Sequence, residues 1–231
     1  MIPIKDDIPT RRIPLVTILL IVANLSVFGW QLGGAPSFEA SVFTLGLVPA
    51  EFWRIETLPK AIASVFTSMF AHGSFLHVGS NLLYLWIFGN NVEDVMGHRR
   101  FVAFYLLCGI GAVAAQVFAA PDSDIPMVGA SGAISGMLGA YLLLFPRARV
   151  LAAVPIFFFI RLTWVPAALF IVFWLVLQVL GGLLSDPTRG GVAFWAHVGG
   201  AVTGMILLRP FLPPGLRHIR RFRHSRFIGP F

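Results

Sequence analysis

A short apolar segment that begins with a serine limits what this chain can fold into. From Ser131 to the break at Pro146 there are 15 residues, which as a helix cover roughly 22 Å of a hydrocarbon core about 30 Å thick. Arg147 and Arg149 place the C-terminal end at a membrane surface, so the N-terminal end lies within the membrane. The free backbone N–H groups at that end cannot face lipid. The sequence therefore predicts a water-filled cavity around Ser131.

The composition also indicates a membrane protein. Of the 231 residues, 57% are hydrophobic and 12% are charged, whereas soluble domains carry about 25% charged residues. The first apolar run is longer than a signal-peptide core and has no A-x-A cleavage site, so we expect it to remain as a membrane span. Cys108 is the single cysteine, which excludes an intramolecular disulfide and a cysteine cluster.

Six apolar segments predict an all-α, multi-pass membrane protein, a bundle of six transmembrane helices with a short central fourth helix. The predicted spans are residues 14–32, 76–96, 101–119, 131–145, 165–184 and 192–208. They form one domain, residues 14–209, between a cytoplasmic lead, residues 1–13, and a basic tail, residues 210–231, which we expect to be disordered. Two interrupted apolar segments, residues 35–71 and 152–164, are expected to lie at the membrane interface.

The distribution of charge sets the orientation of this bundle. With a cytoplasmic N-terminus, 14 of the 17 lysines and arginines lie on the cytoplasmic side, and six of the ten acidic residues lie outside. This asymmetry follows the positive-inside rule, so both termini are expected in the cytoplasm and Ser131 near the outer face. The net charge of +7 therefore reflects topology, and no nucleic-acid partner is expected. The basic tail can attract anionic membrane lipids.

Polar side chains in three of the predicted spans lie at one depth. His72, His77 and Asn81 mark the outer end of span two, and the last two share a helix face because they are four residues apart. His197 lies in the first turns of span six, also at the outer end. Polar side chains within a membrane are costly, so their convergence with Ser131 indicates a functional site. No H-E-x-x-H motif or outer carboxylate accompanies the histidines, and we expect no metal.

The spacing of small residues predicts which helices meet. These residues are Gly132, Gly136 and Ala140 in span four, and Gly200 and Gly204 in span six. Faces of small residues let two helices approach closely. Contact between the two faces would bring Ser131 beside His197, and a serine next to an imidazole is the simplest activated nucleophile.

The same region offers hydrogen-bond donors for a tetrahedral oxyanion. These donors are the N–H groups at the start of span four, an N–H group of His77 and the amide of Asn81. One such donor typically contributes about 3 kcal/mol to stabilisation of the transition state.

Each of these residues also has a structural interpretation. Ser131 could be a packing residue of a glycine-rich helix, and Asn81 could link two helices by a hydrogen bond. An intramembrane histidine could relay protons in a transporter or channel. Such a path would need polar residues through the whole bundle, whereas the cytoplasmic halves of spans two, four and six are almost wholly apolar.

Four motifs taken together resemble the rhomboid family of intramembrane serine proteases. The motifs are Gly129-x-Ser131-Gly132, Ala196-His197-x-x-Gly200-x-x-x-Gly204, His72-x-x-x-x-His77-x-x-x-Asn81 and Gly89-Asn90-Asn91-Val92-Glu93-Asp94. The resemblance implies a Ser131/His197 dyad without a third acidic residue, and an oxyanion site with His77 and Asn81. It implies that His72 helps to shape the pocket, and that no cofactor is needed. Span five and residues 185–192 would correspond to the family's substrate gate and cap.

The resemblance also implies a substrate class. The substrates would be transmembrane segments of other proteins, cut near the outer face, and we expect the protein in a bacterial cell membrane. The oligomeric state stays open. The alternative is a catalytically inactive rhomboid-like scaffold that binds membrane helices, although such a scaffold would need neither Ser131 nor His197.

Two positions differ from the family pattern. Many rhomboids carry an aromatic residue four positions after the nucleophile, stacked on the catalytic imidazole, where this chain has Ser135. The Ser135 hydroxyl is one turn from the nucleophile and could hydrogen-bond in its place. Trp53 and Arg54 stand further before His72 than the family's Trp-Arg pair in the first outer loop, so we do not equate them.

Overall fold

Helices carry most of the chain in the computed structural model, which describes residues 1–156, 158–186 and 190–216. The α-helices are α1 (Leu15–Gly33), α2 (Phe38–Leu45), α3 (Leu58–Thr67), α4 (Phe75–Tyr84), α5 (Asn90–Met96), α6 (His98–Ala119), α7 (Ser131–Leu144), α8 (Ala167–Leu184) and α9 (Phe194–Phe211). Short 3₁₀ segments lie at Pro49–Trp53 and Pro214–Leu216, and a π-helical turn, Leu85–Gly89, joins α4 to α5.

Three of the helices, α1, α6 and α8, are long and apolar enough to cross a membrane. Helix α7 is apolar but has only 14 residues. Helices α4 and α5 continue through the π turn as one helical stretch from residue 75 to residue 96. With α9 at 18 residues, these elements follow the six apolar segments of the sequence.

The core forms where α6, α7 and α9 pack against one another. A side chain at Gly200 would collide with the backbone carbonyl of Gly132, and one at Gly204 would collide with that of Gly136. At the same junction, a Cβ atom at Gly132 would lie 2.6 Å from the Cβ atom of Ala112 in α6. The predicted contact between the glycine faces of α7 and α9 is therefore confirmed, and it explains why α7 is buried along most of its length.

A three-stranded antiparallel sheet corrects the all-α prediction. Its strands are β1 (Ile2–Asp6), β2 (Arg149–Ile156) and β3 (Phe159–Pro166), in the order β1-β2-β3. The N-terminal lead therefore has regular structure, and the segment predicted as an interfacial piece is a hairpin. Many residues of β2 and β3 are β-branched or aromatic, which favours extended backbone, and Pro155 and Pro166 oppose a helix there.

Different connecting segments lie at the two ends of the bundle. Strand β1 pairs with β2, and Asp94 accepts hydrogen bonds from the backbone N–H groups of Arg11 and Arg12 at 3.2 and 3.1 Å. The segment between α1 and α4 instead meets the connection before α7, where Leu47 pairs with Met127.

Two of the predicted boundaries need small adjustments. Helix α8 begins at Ala167, because β3 continues to Pro166, and α9 extends to Phe211. The rest of the predicted tail, from residue 217, lies outside the described residues, as do residues 187–189 of the predicted cap.

Candidate active site

The first residue of α7 and the first turn of α9 meet in a hydrogen bond. Ser131 Oγ lies 2.7 Å from His197 Nε2, and the His197 side chain is buried. The glycine contact described above brings the two helix backbones close enough for this hydrogen bond. A hydroxyl that donates to a neutral imidazole nitrogen is arranged for transfer of its proton during nucleophilic attack.

The second ring nitrogen of His197 contacts α8. His197 Nδ1 lies 2.7 Å from the amide oxygen of Gln178, and the indole ring of Trp174 lies 5.6 Å from the imidazole, centroid to centroid, at an angle of 36°. Neither residue is among those predicted from the sequence. The available signal was that Gln178 is the single amide side chain in the otherwise apolar α8, where a polar group needs a partner.

Ser135 does not hold the imidazole. Its hydroxyl donates to the backbone carbonyl of Ser131 at 2.6 Å, one turn earlier in α7. This is the usual local hydrogen bond of a serine within a helix. The suggestion that Ser135 replaces the stacking aromatic residue is therefore wrong.

His77 and Asn81 face the start of α7 from α4. A Cβ atom at Gly129 would lie 2.6 Å from His77 Nε2 and 3.4 Å from Asn81 Nδ2, so only a glycine permits this approach. Gly129 also has a φ of +122°, and its N–H group donates to the carbonyl of Ser68 at 2.8 Å. The backbone that leads into Ser131 is thus fixed directly against the two α4 side chains.

Donor groups of these two α4 side chains are available to a ligand. Asn81 Nδ2 is buried and has no hydrogen-bond partner among the described residues. The backbone N–H of Gly73 donates to His77 Nδ1 at 3.4 Å, which in a neutral ring leaves the proton on Nε2. Ser74 caps α4 by accepting from the N–H of His77 at 3.1 Å.

A cavity of about 720 Å³ joins these groups. Its lining includes Ser131, His197, His77 and Asn81, so the structure brings together the four polar side chains that the sequence analysis placed at one depth. The cavity is the space predicted around the N-terminal end of α7.

His72 lies behind this cavity and does not line it. Its ring centroid is 5.1 Å from that of His77, and Gln31 of α1 holds its backbone by accepting from its N–H at 2.9 Å and donating to its carbonyl at 3.2 Å. Burial lowers the pKa of His72 to about 4, with a further lowering from His77 and an opposing effect of the Phe70 carbonyl. The His72 ring thus packs directly against the imidazole of His77.

Comparison with known proteins gives a consistent result. A family model described as the rhomboid domain matches residues 49–214. The chain is 30% identical over 196 residues to mitochondrial Rhomboid protein 1 of Saccharomyces cerevisiae, which covers 81% of this chain and 50% of that protein. It is 27% identical over 176 residues to the mitochondrial presenilin-associated rhomboid-like protein of Mus musculus, covering 66% and 43%. It is 32% identical over 137 residues to rhomboid protease GluP of Bacillus subtilis, covering 56% and 24%. The chain thus spans half or less of the length of each of these relatives.

Proposed function

The chain belongs to the rhomboid family, and on that premise we propose that it is an intramembrane serine endopeptidase that hydrolyses peptide bonds in or next to transmembrane segments. The hydrogen bond between Ser131 and His197 carries the proposal. The name of one relative, rhomboid protease GluP, supports the same reaction class.

In the first half of the reaction, Ser131 Oγ attacks the carbonyl carbon of the scissile bond while His197 Nε2 takes the hydroxyl proton. The tetrahedral intermediate collapses, the C–N bond breaks, and His197 gives the proton to the leaving amine. The product is an ester between Ser131 and the acyl half of the substrate. In the second half, His197 takes a proton from water, the resulting hydroxide equivalent attacks the ester, and Ser131 recovers its proton.

The oxyanion would be stabilised from two directions. The N–H groups at the start of α7 point along the helix axis toward the attacked carbonyl, and α7 has no side-chain cap that occupies them. His77 Nε2–H and the unpartnered NH₂ group of Asn81 approach from α4. Each donor that acts on the developing charge contributes about 3 kcal/mol in comparable enzymes.

The proposal includes six transmembrane helices with both termini cytoplasmic and the Ser131 end of α7 toward the outer face. The three apolar helices of spanning length, the short apolar α7 and the positions of the basic residues support this topology. The protein is embedded in a membrane. Two of the relatives above are mitochondrial and one is bacterial. The bacterial cell membrane therefore stays a prediction, and the two mitochondrial relatives are evidence against it.

The proposed substrates are transmembrane helices of other proteins. A helix hides its carbonyl groups in i to i−4 hydrogen bonds, so it must unwind locally before Ser131 can reach one. Small and helix-destabilising residues at the cleavage point should therefore favour cleavage. Placing leucine for glycine or alanine in a substrate span should slow cleavage, and an unchanged rate would contradict this part of the proposal.

The experiment that tests the function uses the full chain in proteoliposomes with a reporter transmembrane substrate. Ser131→Ala and His197→Ala should each abolish cleavage and covalent labelling by a fluorophosphonate probe. Ser26→Ala is the matched control, because that serine is exposed on α1. Cleavage by Ser131→Ala would overturn the proposal, and binding of the helix without cleavage by the unaltered chain would favour the scaffold alternative.

A further inference from the structure

We propose that Gln178 is a positioning residue that fixes the tautomer and the ring orientation of His197, so that α8 supplies a neutral third member to the Ser131/His197 pair. This inference rests on the proposed function. It assigns a role to a residue outside all four family motifs.

Three hydrogen bonds link Trp174, Gln178, His197 and Ser131, and the donor in each one fixes the donor in the next. Gln178 Nε2 donates to the backbone carbonyl of Trp174 at 3.1 Å, which turns the amide oxygen toward His197. The amide oxygen can only accept, so His197 Nδ1 must carry the proton at the 2.7 Å contact. His197 Nε2 is then the acceptor for the Ser131 hydroxyl.

The opposite orientation of the amide would break this chain at both ends. Its oxygen would face the oxygen of the Trp174 carbonyl, and its NH₂ group would donate to His197 Nδ1. A neutral imidazole with an accepting Nδ1 carries its proton on Nε2, and such a ring cannot take the Ser131 proton. Gln178 thus selects the reactive tautomer.

The same helix also restricts the ring plane. Trp174 lies one turn before Gln178 on α8, and its indole ring is tilted against the imidazole. Gly181 and Gly182 lie on the same face of α8, one turn after Gln178. A Cβ atom at Gly181 would lie 2.5 Å from the Phe194 ring of α9, and one at Gly182 would lie 2.8 Å from the Trp195 ring. The close contact between α8 and α9 therefore sets the distance at which Gln178 meets His197.

The surroundings explain why a neutral amide is suitable. None of the described residues that line the cavity has a carboxylate, amino or guanidinium group, and its titratable side chains besides His197 are His77 of α4 and Tyr84 of α4. An ionised carboxylate would need a paired charge to be stable in such surroundings. The amide gives the orientation of an acidic third residue at a lower desolvation cost, although it provides less stabilisation of the imidazolium.

The test compares Gln178→Met with Gln178→Glu in proteoliposomes. Methionine keeps the size of the side chain but removes the acceptor, so kcat should fall about 10- to 100-fold while KM changes less than about twofold. The rate of fluorophosphonate labelling at Ser131 should fall in parallel. Val22→Leu is the control, because Val22 is exposed on α1, away from the cavity, and should keep the parental rates.

Glutamate restores the acceptor and adds a charge. Gln178→Glu should keep more activity than Gln178→Met, and the acid side of its pH profile for kcat/KM should move upward by about one unit or more, because a carboxylate stabilises the imidazolium. If the side chain at position 178 does not meet His197 Nδ1 in the membrane, the added charge should produce no such shift.

The outcomes separate this inference from the function on which it rests. Cleavage by Ser131→Ala overturns the function, whatever Gln178 does. If Ser131→Ala is inactive but Gln178→Met keeps the parental kcat, the positioning role alone is overturned. Should Gln178→Met fail to fold, an unshifted pH profile of Gln178→Glu overturns it equally.

Discussion

Replacing Gly200 by alanine tests whether the glycine contact between α7 and α9 positions the nucleophile. The added Cβ atom would meet backbone and not a flexible side chain: it overlaps the carbonyl oxygen of Gly132 and lies 3.0 Å from that carbonyl carbon. Ordinary contacts need about 3.5 Å or more. The helices must therefore separate by roughly 1 Å, close to the layer that holds Ser131 and His197.

The expected losses follow from that separation. The hydrogen bond from Ser131 to His197, now 2.7 Å, would lengthen to roughly 3.7 Å, beyond the range of a hydrogen bond. A misplacement of about 1 Å can reduce the catalytic rate about 100-fold. Overpacking of this kind costs about 1 to 3 kcal/mol of folding free energy, which lowers the melting temperature by about 2 to 4 °C per kcal/mol in a chain of this size.

The assay measures cleavage in proteoliposomes, fluorophosphonate labelling and the melting temperature of the same preparation. Gly29→Ala is the matched control, because a Cβ atom at Gly29 in α1 meets nothing within 4 Å. That variant should keep its activity and gain up to about 1 kcal/mol from helix propensity. Parental cleavage and stability in Gly200→Ala would refute the view that this contact sets the geometry of the site.

Three further variants test the loop that leads into Ser131 and two carboxylates at the other end of the bundle. Gly129→Ala should lose cleavage and stability together, because its positive φ and its approach to the α4 imidazole both exclude a side chain. Asp6→Asn should raise the melting temperature at pH 8 and flatten its pH dependence. Burial raises the pKa of Asp6 to about 6, against hydrogen bonds that lower it, so the folded protein prefers the protonated form and loses stability as the pH rises from about 4 to 6. Glu93→Gln should lower the melting temperature by several degrees, because the buried carboxylate accepts from the N–H groups of Val16 and Thr17 at 2.8 Å each, at the uncapped start of α1.

Each of these has a result that contradicts it. Parental activity in Gly129→Ala would show that the loop tolerates a side chain. A lower melting temperature of Asp6→Asn at pH 8 would show that the ionised carboxylate stabilises the fold. Asp94→Asn is the control for Glu93→Gln, because its two contacts are exposed, and an equal loss in both variants would contradict the assigned importance of the buried carboxylate.

The close approach of Ser131 and His197 was predictable because it depends on local spacing. Gly132 and Gly136 fall on one face of a helix, as do Gly200 and Gly204, and faces of small residues meet closely wherever they occur. Ser131 and His197 precede the first glycine of each face, so they lie at the same level where the two helices meet. No long-range information is needed beyond the pairing of the two faces.

The sheet was not predictable in the same way, because its pairing is distant in sequence. Ile2 pairs with Ala153, and nothing in the first 13 residues shows that they will find a partner beyond α7. The hairpin of β2 and β3 had a local signal in its β-branched residues and prolines, but its apolar composition also fits an interfacial segment. The topology prediction does not rest on the conformation of these connections, because it comes from the positions of the charged residues.

Gln178 shows the limit of inference from single helices. Its presence in an apolar helix indicates a partner, but α8 could direct that face toward lipid, toward α7 or toward α9, and the sequence of α8 alone does not choose. The choice comes from Gly181 and Gly182, which only the packed structure shows against Phe194 and Trp195. A polar residue one turn from two adjacent glycines in a membrane helix therefore deserves the same scrutiny as a glycine face that carries a serine. Both combine a group that needs a partner with a backbone that can approach one.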